Sequence, residues 1–143
     1  MGFPDRIERT LELAHPPRAV WDALTTAEGL GSWFGNEATV DLSVGGVIRL
    51  SWEGGHAVDL RVERVEEPSV FGFTWPVDGL PEDERHRTYV EFTLEPVDGG
   101  TRLVAVETGF ARLPEDAGRK AHDAHVQGWK NELADLAAHL DAA

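Results

Sequence analysis

The stretch EDAGRKAHDAHVQGWKNELADLAAHL, residues 115–140, spaces its apolar residues differently from the part of the chain that precedes it. Its large apolar side chains recur every three or four residues, at Val126, Trp129, Leu133, Leu136 and Leu140. This spacing places them on one face of a helix, and Glu115 and Asp116 stand where the helix dipole favours anions. We therefore predict a long amphipathic helix over residues 115–140. An interior glycine, Gly128, costs about 1 kcal/mol relative to alanine and predicts a close approach of another group.

Residues 37–110 instead show the two-residue period of half-buried strands, for example at Ile48, Leu50 and Trp52. The links between these strands are short and rich in Gly and Asp, as hairpins require. Earlier in the chain, residues 6–13 alternate as a first strand, and residues 17–24 and 27–33 have helical spacing. An apolar sheet face and an apolar helix face must cover each other. We therefore predict an α+β fold in which a curved antiparallel sheet wraps around the C-terminal helix, with two short helices after the first strand.

The composition excludes several classes of function. The 143 residues fit one domain, residues 1–143, and the 26 acidic residues against 13 Lys and Arg give a net charge of −13. Such a charge argues against binding to nucleic acids or to anionic membranes. The absence of cysteine excludes disulfides and thiol catalysis. No segment has the ~20 apolar residues of a membrane span, and no signal peptide is visible, so we expect a cytoplasmic protein.

Five segments carry a resemblance to a known family: residues 16–34, 41–46, 71–75, 100–110 and 128–140. In this order and spacing they resemble the START-like (SRPBCC, helix-grip) superfamily, and within it the AHSA1-like branch, named after the activator of Hsp90 ATPase. The resemblance implies a seven-stranded antiparallel sheet that grips the C-terminal helix, with a hydrophobic cavity between them. Members of the superfamily include hydrophobic-ligand carriers, polyketide cyclases, stress-response proteins and co-chaperone domains. The chain shows no phosphate loop or dinucleotide fingerprint, and we expect no cofactor.

The tryptophan content is the unusual feature of the composition, since the chain has five tryptophans. Trp21 lies on the first short helix and is predicted to pack that helix against the edge of the sheet. The other four fall on inward faces of different predicted elements. They either fill the core or line a cavity for an aromatic, polyketide-like or lipid-like ligand. The predicted lining comprises Trp33, Phe34, Leu50, Trp52, Phe73, Trp75, Phe92, Glu107, His125, Trp129 and Leu133.

Glu107 is the polar residue of greatest interest, and two orientations are open to it. It points into the cavity if Leu103 and Ala105 face inward, and by the resemblance this is the cavity side, where many relatives carry His. It meets solvent if Val104 and Val106 face inward instead. Because charged side chains are rarely buried, the sequence alone favours solvent.

His125 precedes Trp129 by one helical turn and is the second polar candidate for the cavity. Together with Glu107 it is a candidate for acid–base catalysis. His122 and His125 have a spacing that permits a shared metal site, but no third ligand is evident and we expect no metal. The charged segment 78–87 is predicted to be a solvated loop, with a lid over the cavity mouth as the alternative.

The leading functional hypothesis is the binding of a small hydrophobic ligand in an internal cavity between the sheet and the C-terminal helix. The first alternative is an enzyme of the polyketide cyclase or aromatase type, and whether any reaction is catalysed is left open. The second is an Hsp90-type co-chaperone or stress-response interaction module. It is ranked last because a single predicted domain leaves no second domain for further contacts with Hsp90. The expected partners are the ligand and a second copy in a homodimer; neither nucleic acid nor membrane is expected.

Overall fold

A computed structural model describes residues 5–77, 79–81 and 83–142 of the chain. Within them, the strands are β1 (Arg6–Leu13), β2 (Glu37–Val40), β3 (Val47–Ser51), β4 (Ala57–Glu66), β5 (Val70–Pro76), β6 (Arg87–Val97) and β7 (Gly100–Thr108). The α-helices are α1 (Pro17–Thr25), α2 (Ala27–Trp33) and α3 (Glu115–Ala142), and single 3-10 turns lie at Glu84–His86 and Phe110–Arg112. The periods read from the sequence thus place the helices and strands in the observed order.

The strands form one antiparallel sheet in the order β1-β7-β6-β5-β4-β3-β2. From β2 to β7 each strand pairs with the next one in sequence, because a short connection returns the chain alongside itself. β1 pairs with β7 at the other end. The sheet is curved around α3, which confirms the predicted α+β helix-grip fold with seven strands.

The two short helices are joined at Thr26, which caps the second one. The Thr26 hydroxyl accepts a hydrogen bond from the Gly29 backbone N–H at 3.0 Å, as an N-cap residue does. Gly29 itself lies so close to the end of α1 that a Cβ there would be 2.6 Å from the Asp22 carbonyl oxygen. This close packing fixes the angle between α1 and α2.

Tryptophan side chains connect these helices to the rest of the fold. The Trp21 ring packs edge-on against Phe71, with 6.4 Å between ring centroids. Trp21 therefore packs against the sheet as predicted, but on its central strand β5 and not at its edge. The Trp33 indole N–H donates to the Ala23 carbonyl at 2.7 Å. Phe34, directly after α2, stacks on Trp33 at 4.8 Å and is thereby held beside α3.

Candidate functional site

Glu107 lies in the interior of the protein, with only 1% of its surface exposed. The strand register explains this orientation, because its partners across β1 and β6 are Ile7 and Val90, and both are core residues. The outer face of β7 carries the half-buried Val104 and Val106 instead. The solvent-facing orientation that the sequence alone favours is therefore wrong, and the inward one is right.

The Glu107 carboxylate accepts hydrogen bonds from four side chains. The Trp129 indole N–H donates to Oε1 at 2.8 Å, and the Trp75 indole N–H donates to Oε2 at 2.9 Å. The Thr88 hydroxyl reaches Oε2 at 2.5 Å, and His125 Nδ1 lies 2.8 Å from the same oxygen. Two of these donors come from the sheet side, on β5 and β6, and two from α3, so the carboxylate joins helix to sheet.

These partners determine the charge of Glu107. Burial raises the pKa of the carboxyl group, but the hydrogen bond and charge of His125, with hydrogen bonds from Thr88 and Trp75, outweigh burial and leave the pKa below its ordinary value. The group is therefore ionised at neutral pH and can only accept hydrogen bonds. His125 Nδ1 must then carry the proton. Its Nε2 forms no hydrogen bond with the part of the chain that the structure describes.

Aromatic rings surround this carboxylate and pack on one another. The Trp75 and Trp129 rings stack with centroids 5.7 Å apart, and Phe34 lies within 6.2 Å of both. Phe73 and Phe92 complete the cluster from the sheet, at 5.4 Å from Trp75 and 5.8 Å from Trp129 respectively. These rings fill the space behind Glu107, so the open space lies along the flank of α3.

Three adjoining clefts follow the flank of α3. In order from the start of the helix to its end, we call them the first, the middle and the second cleft. The first, of about 500 Å³, lies between the start of α3 and the segment after β5, where Val77 and Leu80 face Ala121 and His125. The middle cleft, of about 90 Å³, is lined by Trp75, Ala124, His125, Gly128, Trp129 and Glu132. The second, of about 520 Å³, lies between α2 and the end of α3 and is lined by Ser32, Trp33, Phe34, Gly35, Asn36, Trp52, Glu132, Asp135, Ala138 and His139. His125 borders the first and middle clefts, and Glu132 borders the middle and second.

The segment after β5 is held to its neighbours by hydrogen bonds. Arg61 on β4 pairs with Glu84 through two hydrogen bonds of 2.6 and 2.9 Å, and the Val77 backbone N–H donates to the His86 carbonyl at 2.9 Å. Of the charged segment 78–87, predicted to be a solvated loop with a lid as the alternative, the described residues Gly79 and Leu80 line the first cleft. Asp78 and Glu82 of that segment lie outside the described residues.

Glu132 is a second carboxyl group with an unusual environment, and it is not among the site residues predicted from the sequence. Its Oε2 atom is buried and has no hydrogen-bond partner among the described residues. Burial and the negative charge of Asp135 raise the pKa of Glu132 to about 7. The only sequence signal for it is its spacing, one turn after Gly128 and Trp129 on the same helix face.

The predicted lining residues separate into two groups. Trp33, Phe34, Trp52, Trp75, His125 and Trp129 border the clefts, whereas Leu50, Phe73, Phe92, Glu107 and Leu133 are at most 3% exposed and lie in the interior, outside the described cleft linings. Trp52 is predicted to lie with the other tryptophans, but it does not join the aromatic rings around Glu107. It lies half-buried just past β3, with its ring 5.3 Å from His56.

Gly128 also differs from the prediction. A Cβ placed there would meet no described protein atom within 4 Å, so no protein group makes the close approach that the sequence suggests. The glycine instead lines the middle cleft, beside the stacked rings of Trp75 and Trp129.

His122 and His125, the pair whose spacing permits a shared metal site, both lie beside Phe110. His122 lies with its ring 5.1 Å from Phe110. Among the described residues, no group of three or more His, Asp or Glu side chains is arranged to hold a metal ion. In the same residues, no helix combines the length and apolarity needed to cross a membrane.

Comparisons with known proteins agree with this architecture. The sequence profile of a family described as activator of Hsp90 ATPase homolog 1-like protein matches residues 14–141. A search of the curated proteins found no match.

Several solved structures are similar over nearly the whole chain. Protein MLL2253 from Mesorhizobium loti is 27% identical, with a TM-score of 0.82 over 96% of this chain and 98% of that one. The Aha1 dimer from Colwellia psychrerythraea is 24% identical, with a TM-score of 0.76 over 94% and 95%. DynU16, a protein of the dynemicin biosynthetic locus, is 22% identical with a TM-score of 0.78, over 97% of this chain and 48% of DynU16. The last two similarities establish a shared fold.

Proposed function

Because the chain belongs to the family of activator of Hsp90 ATPase homolog 1-like proteins, in the START-like superfamily, we propose that it binds a small hydrophobic ligand between α3 and the sheet. The ligand lies along the flank of α3, in the clefts that adjoin at His125 and Glu132. This position differs from the fully internal cavity expected from the sequence, because aromatic side chains occupy the interior.

The observation that carries the proposal is the open space at Gly128. A glycine inside a helix costs about 1 kcal/mol relative to alanine, and here no neighbouring protein atom requires it. The space faces the walls formed by Trp75 and Trp129, whose indole N–H groups are already bound to Glu107. With their polar atoms engaged, these rings offer apolar surface to a ligand.

The dimensions of the clefts suit a molecule of moderate size. Small-molecule sites generally measure about 300–1,000 Å³. The middle cleft alone holds only a small group, at about 90 Å³, but each of its neighbours is in the usual range. An elongated or flat ligand can therefore insert a narrow part at Gly128 and extend into an outer cleft.

A binding screen tests this proposal. Fatty acids, hydrophobic amines, flavonoids and aromatic polyketides are titrated into the protein while tryptophan fluorescence and the thermal unfolding midpoint are measured. Trp75 and Trp129 border the middle cleft, so a bound ligand changes the emission of the protein. Hits are then titrated into Gly128→Leu, whose side chain would occupy the middle cleft, and into the matched control Ala134→Leu on the exposed face of the same helix.

We expect Gly128→Leu to weaken binding at least tenfold while Ala134→Leu leaves it unchanged. A flat response across the library, or binding that both variants preserve, would contradict a ligand site at this position.

A specific observation also favours the second candidate, an acid–base enzyme. Glu107 accepts the Nδ1–H of His125, whose ring lines the first and middle clefts, so the unbonded Nε2 can take up a proton when the ring is neutral. In this role His125 would take a proton from a bound ligand through Nε2, and Glu107 would stabilise the imidazolium. The test is to incubate each hit with wild type and with His125→Gln and to analyse the products. Turnover by wild type only, with binding retained in the variant, is the expected result for an enzyme; recovery of every hit unchanged would contradict it.

The co-chaperone role, the homodimer and the cytoplasmic location stay predictions. A pull-down with a purified Hsp90 homologue and sedimentation velocity are the direct measurements for the first two.

A further inference from the structure

Glu132 stands where the middle and second clefts adjoin, and its carboxyl group lacks a partner. Oε2 is shielded from solvent and receives no hydrogen bond from the described residues. Leaving a buried acceptor unsatisfied destabilises the free protein, and more so when the acceptor is charged. The side chain as a whole is only half-buried, and its other oxygen, Oε1, is not among the buried atoms and also receives no hydrogen bond from the described residues. A ligand group that donates to this carboxyl group would offset part of the cost of leaving it unpaired.

The charges around Glu132 select the kind of donor. Asp135 lines the second cleft beside it. The basic side chains in the described lining of the middle and second clefts are His125 and His139, and neither Lys nor Arg is among them. Aromatic side chains supply the remaining walls, with Trp75 and Trp129 in the middle cleft and Trp52 in the second. Carboxylates together with indole faces attract cations, through charge-assisted hydrogen bonds and through the negative face of the ring. The same surroundings repel an anionic head group.

We propose that Glu132 is the recognition group of this site and that the ligand is a hydrophobic amine, with its ammonium group on Glu132 and its apolar part against Trp75 and Trp129. The inference rests on the proposed ligand site and adds the chemical class of the ligand. Glu132 acts as a specificity residue that excludes fatty acids and other carboxylates.

Three compounds with the same ring system test this assignment: 2-naphthylmethylamine, 2-naphthylmethanol and 2-naphthylacetate. Their affinities are measured by isothermal titration calorimetry at pH 8, where Glu132 is mainly ionised and the amine keeps its charge. The measurements are repeated with Glu132→Gln, and with Asp135→Asn as a control that removes a neighbouring charge from the same cleft. Thermal unfolding of each variant establishes that it is folded.

We expect wild type to bind the amine at least tenfold more tightly than the alcohol, and the acid most weakly. In Glu132→Gln the amine should bind no more tightly than the alcohol, while the affinity for the alcohol stays within twofold of wild type. Asp135→Asn should keep most of the preference. A merely structural role for Glu132 would instead weaken all three compounds together.

Two results would overturn the proposal and leave the ligand site standing: equal binding of amine and acid by wild type, or a preference for the amine that survives in Glu132→Gln. If none of the three compounds binds and the wider screen also gives no hit, both this assignment and the ligand site fall together.

Discussion

Replacing Glu107 by glutamine should destabilise the protein strongly, although the two side chains have nearly the same shape. The carboxylate accepts hydrogen bonds from Trp75, Thr88, His125 and Trp129, and all its partners donate. Glutamine keeps one acceptor oxygen and places an NH2 group at the other position, where it faces donors. At least one buried donor thereby loses its partner, and two N–H or O–H groups point at each other.

The magnitude follows from these contacts. A buried donor left without a partner costs about 1–3 kcal/mol, and removing one member of a buried charged pair costs about 3–5 kcal/mol. We therefore expect Glu107→Gln to lower the free energy of unfolding by about 3–5 kcal/mol. For 143 residues the entropy of unfolding is about 0.3 kcal/mol per kelvin, so the unfolding midpoint should fall by roughly 10–17 °C.

Urea denaturation at pH 7, followed by tryptophan fluorescence, measures this loss. Glu95→Gln is the matched control, because Glu95 pairs with Arg102 on the surface and should cost less than about 1 kcal/mol. The difference between wild type and Glu107→Gln should shrink in acid. The folded pKa of Glu107 is below its ordinary value of 4.5, so its stabilisation is present above that pH and is lost as the pH falls through the folded pKa. A loss below about 1 kcal/mol at pH 7 would refute the buried, fourfold hydrogen-bonded carboxylate.

Three further outcomes follow from the same structure. Gly29→Ala should lower the free energy of unfolding by about 1–3 kcal/mol in thermal melts, because its Cβ would lie 2.6 Å from a backbone oxygen, whereas Gly31→Ala, with its nearest contact at 3.6 Å, should not. Equal effects would contradict the tight helix junction. Gly128→Ala should raise the unfolding midpoint by roughly 3 °C through helix propensity; a decrease would show that the middle cleft is not open. Glu132 has a pKa raised to about 7, so the stability it contributes is lost as the pH rises through that value. Urea titrations at pH 5 and pH 8 should show a decline in wild type that Glu132→Gln reduces by about 1 kcal/mol, since the group is only half-buried and solvent weakens the effect. Identical declines in the two proteins would contradict this environment.

The architecture could be predicted because each element has an apolar face of unambiguous period. Ile48 and Leu50 on β3 alternate with polar neighbours, and both are fully buried in the structure. The apolar residues of α3 step by three and four, and Leu133, Leu136 and Leu140 all face the core. Where the pattern is this regular, burial of apolar surface leaves one arrangement of helix and sheet.

The orientation of β7 could not be predicted in the same way, because both of its faces carry aliphatic residues. Val104 and Val106 are as apolar as Leu103 and Ala105, so only pairing with β1 and β6 decides which face is buried. The hydrogen-bond partners of Glu107 could not be predicted either, because two of them are tryptophans. Tryptophan is usually counted as apolar, yet each indole carries one N–H donor, and two of those donors make a buried carboxylate acceptable here.

The two unusual carboxyl groups, Glu107 on β7 and Glu132 on α3, have different roles: the first stabilises the fold, and the second is proposed to recognise the ligand. Glu107 has donors on both oxygens, from the sheet and from the helix, so it holds Trp75 and Trp129 in fixed orientations. Glu132 lies one helical turn after Trp129, and its Oε2 is left without a donor in the described chain. A satisfied buried charge fixes the walls of the cleft, whereas an unsatisfied one penalises the empty cleft and favours a ligand that can donate. Because Glu107 rather than Glu132 orients the indole rings, substitution of Glu132 should change which ligand is preferred without displacing the rings against which it packs.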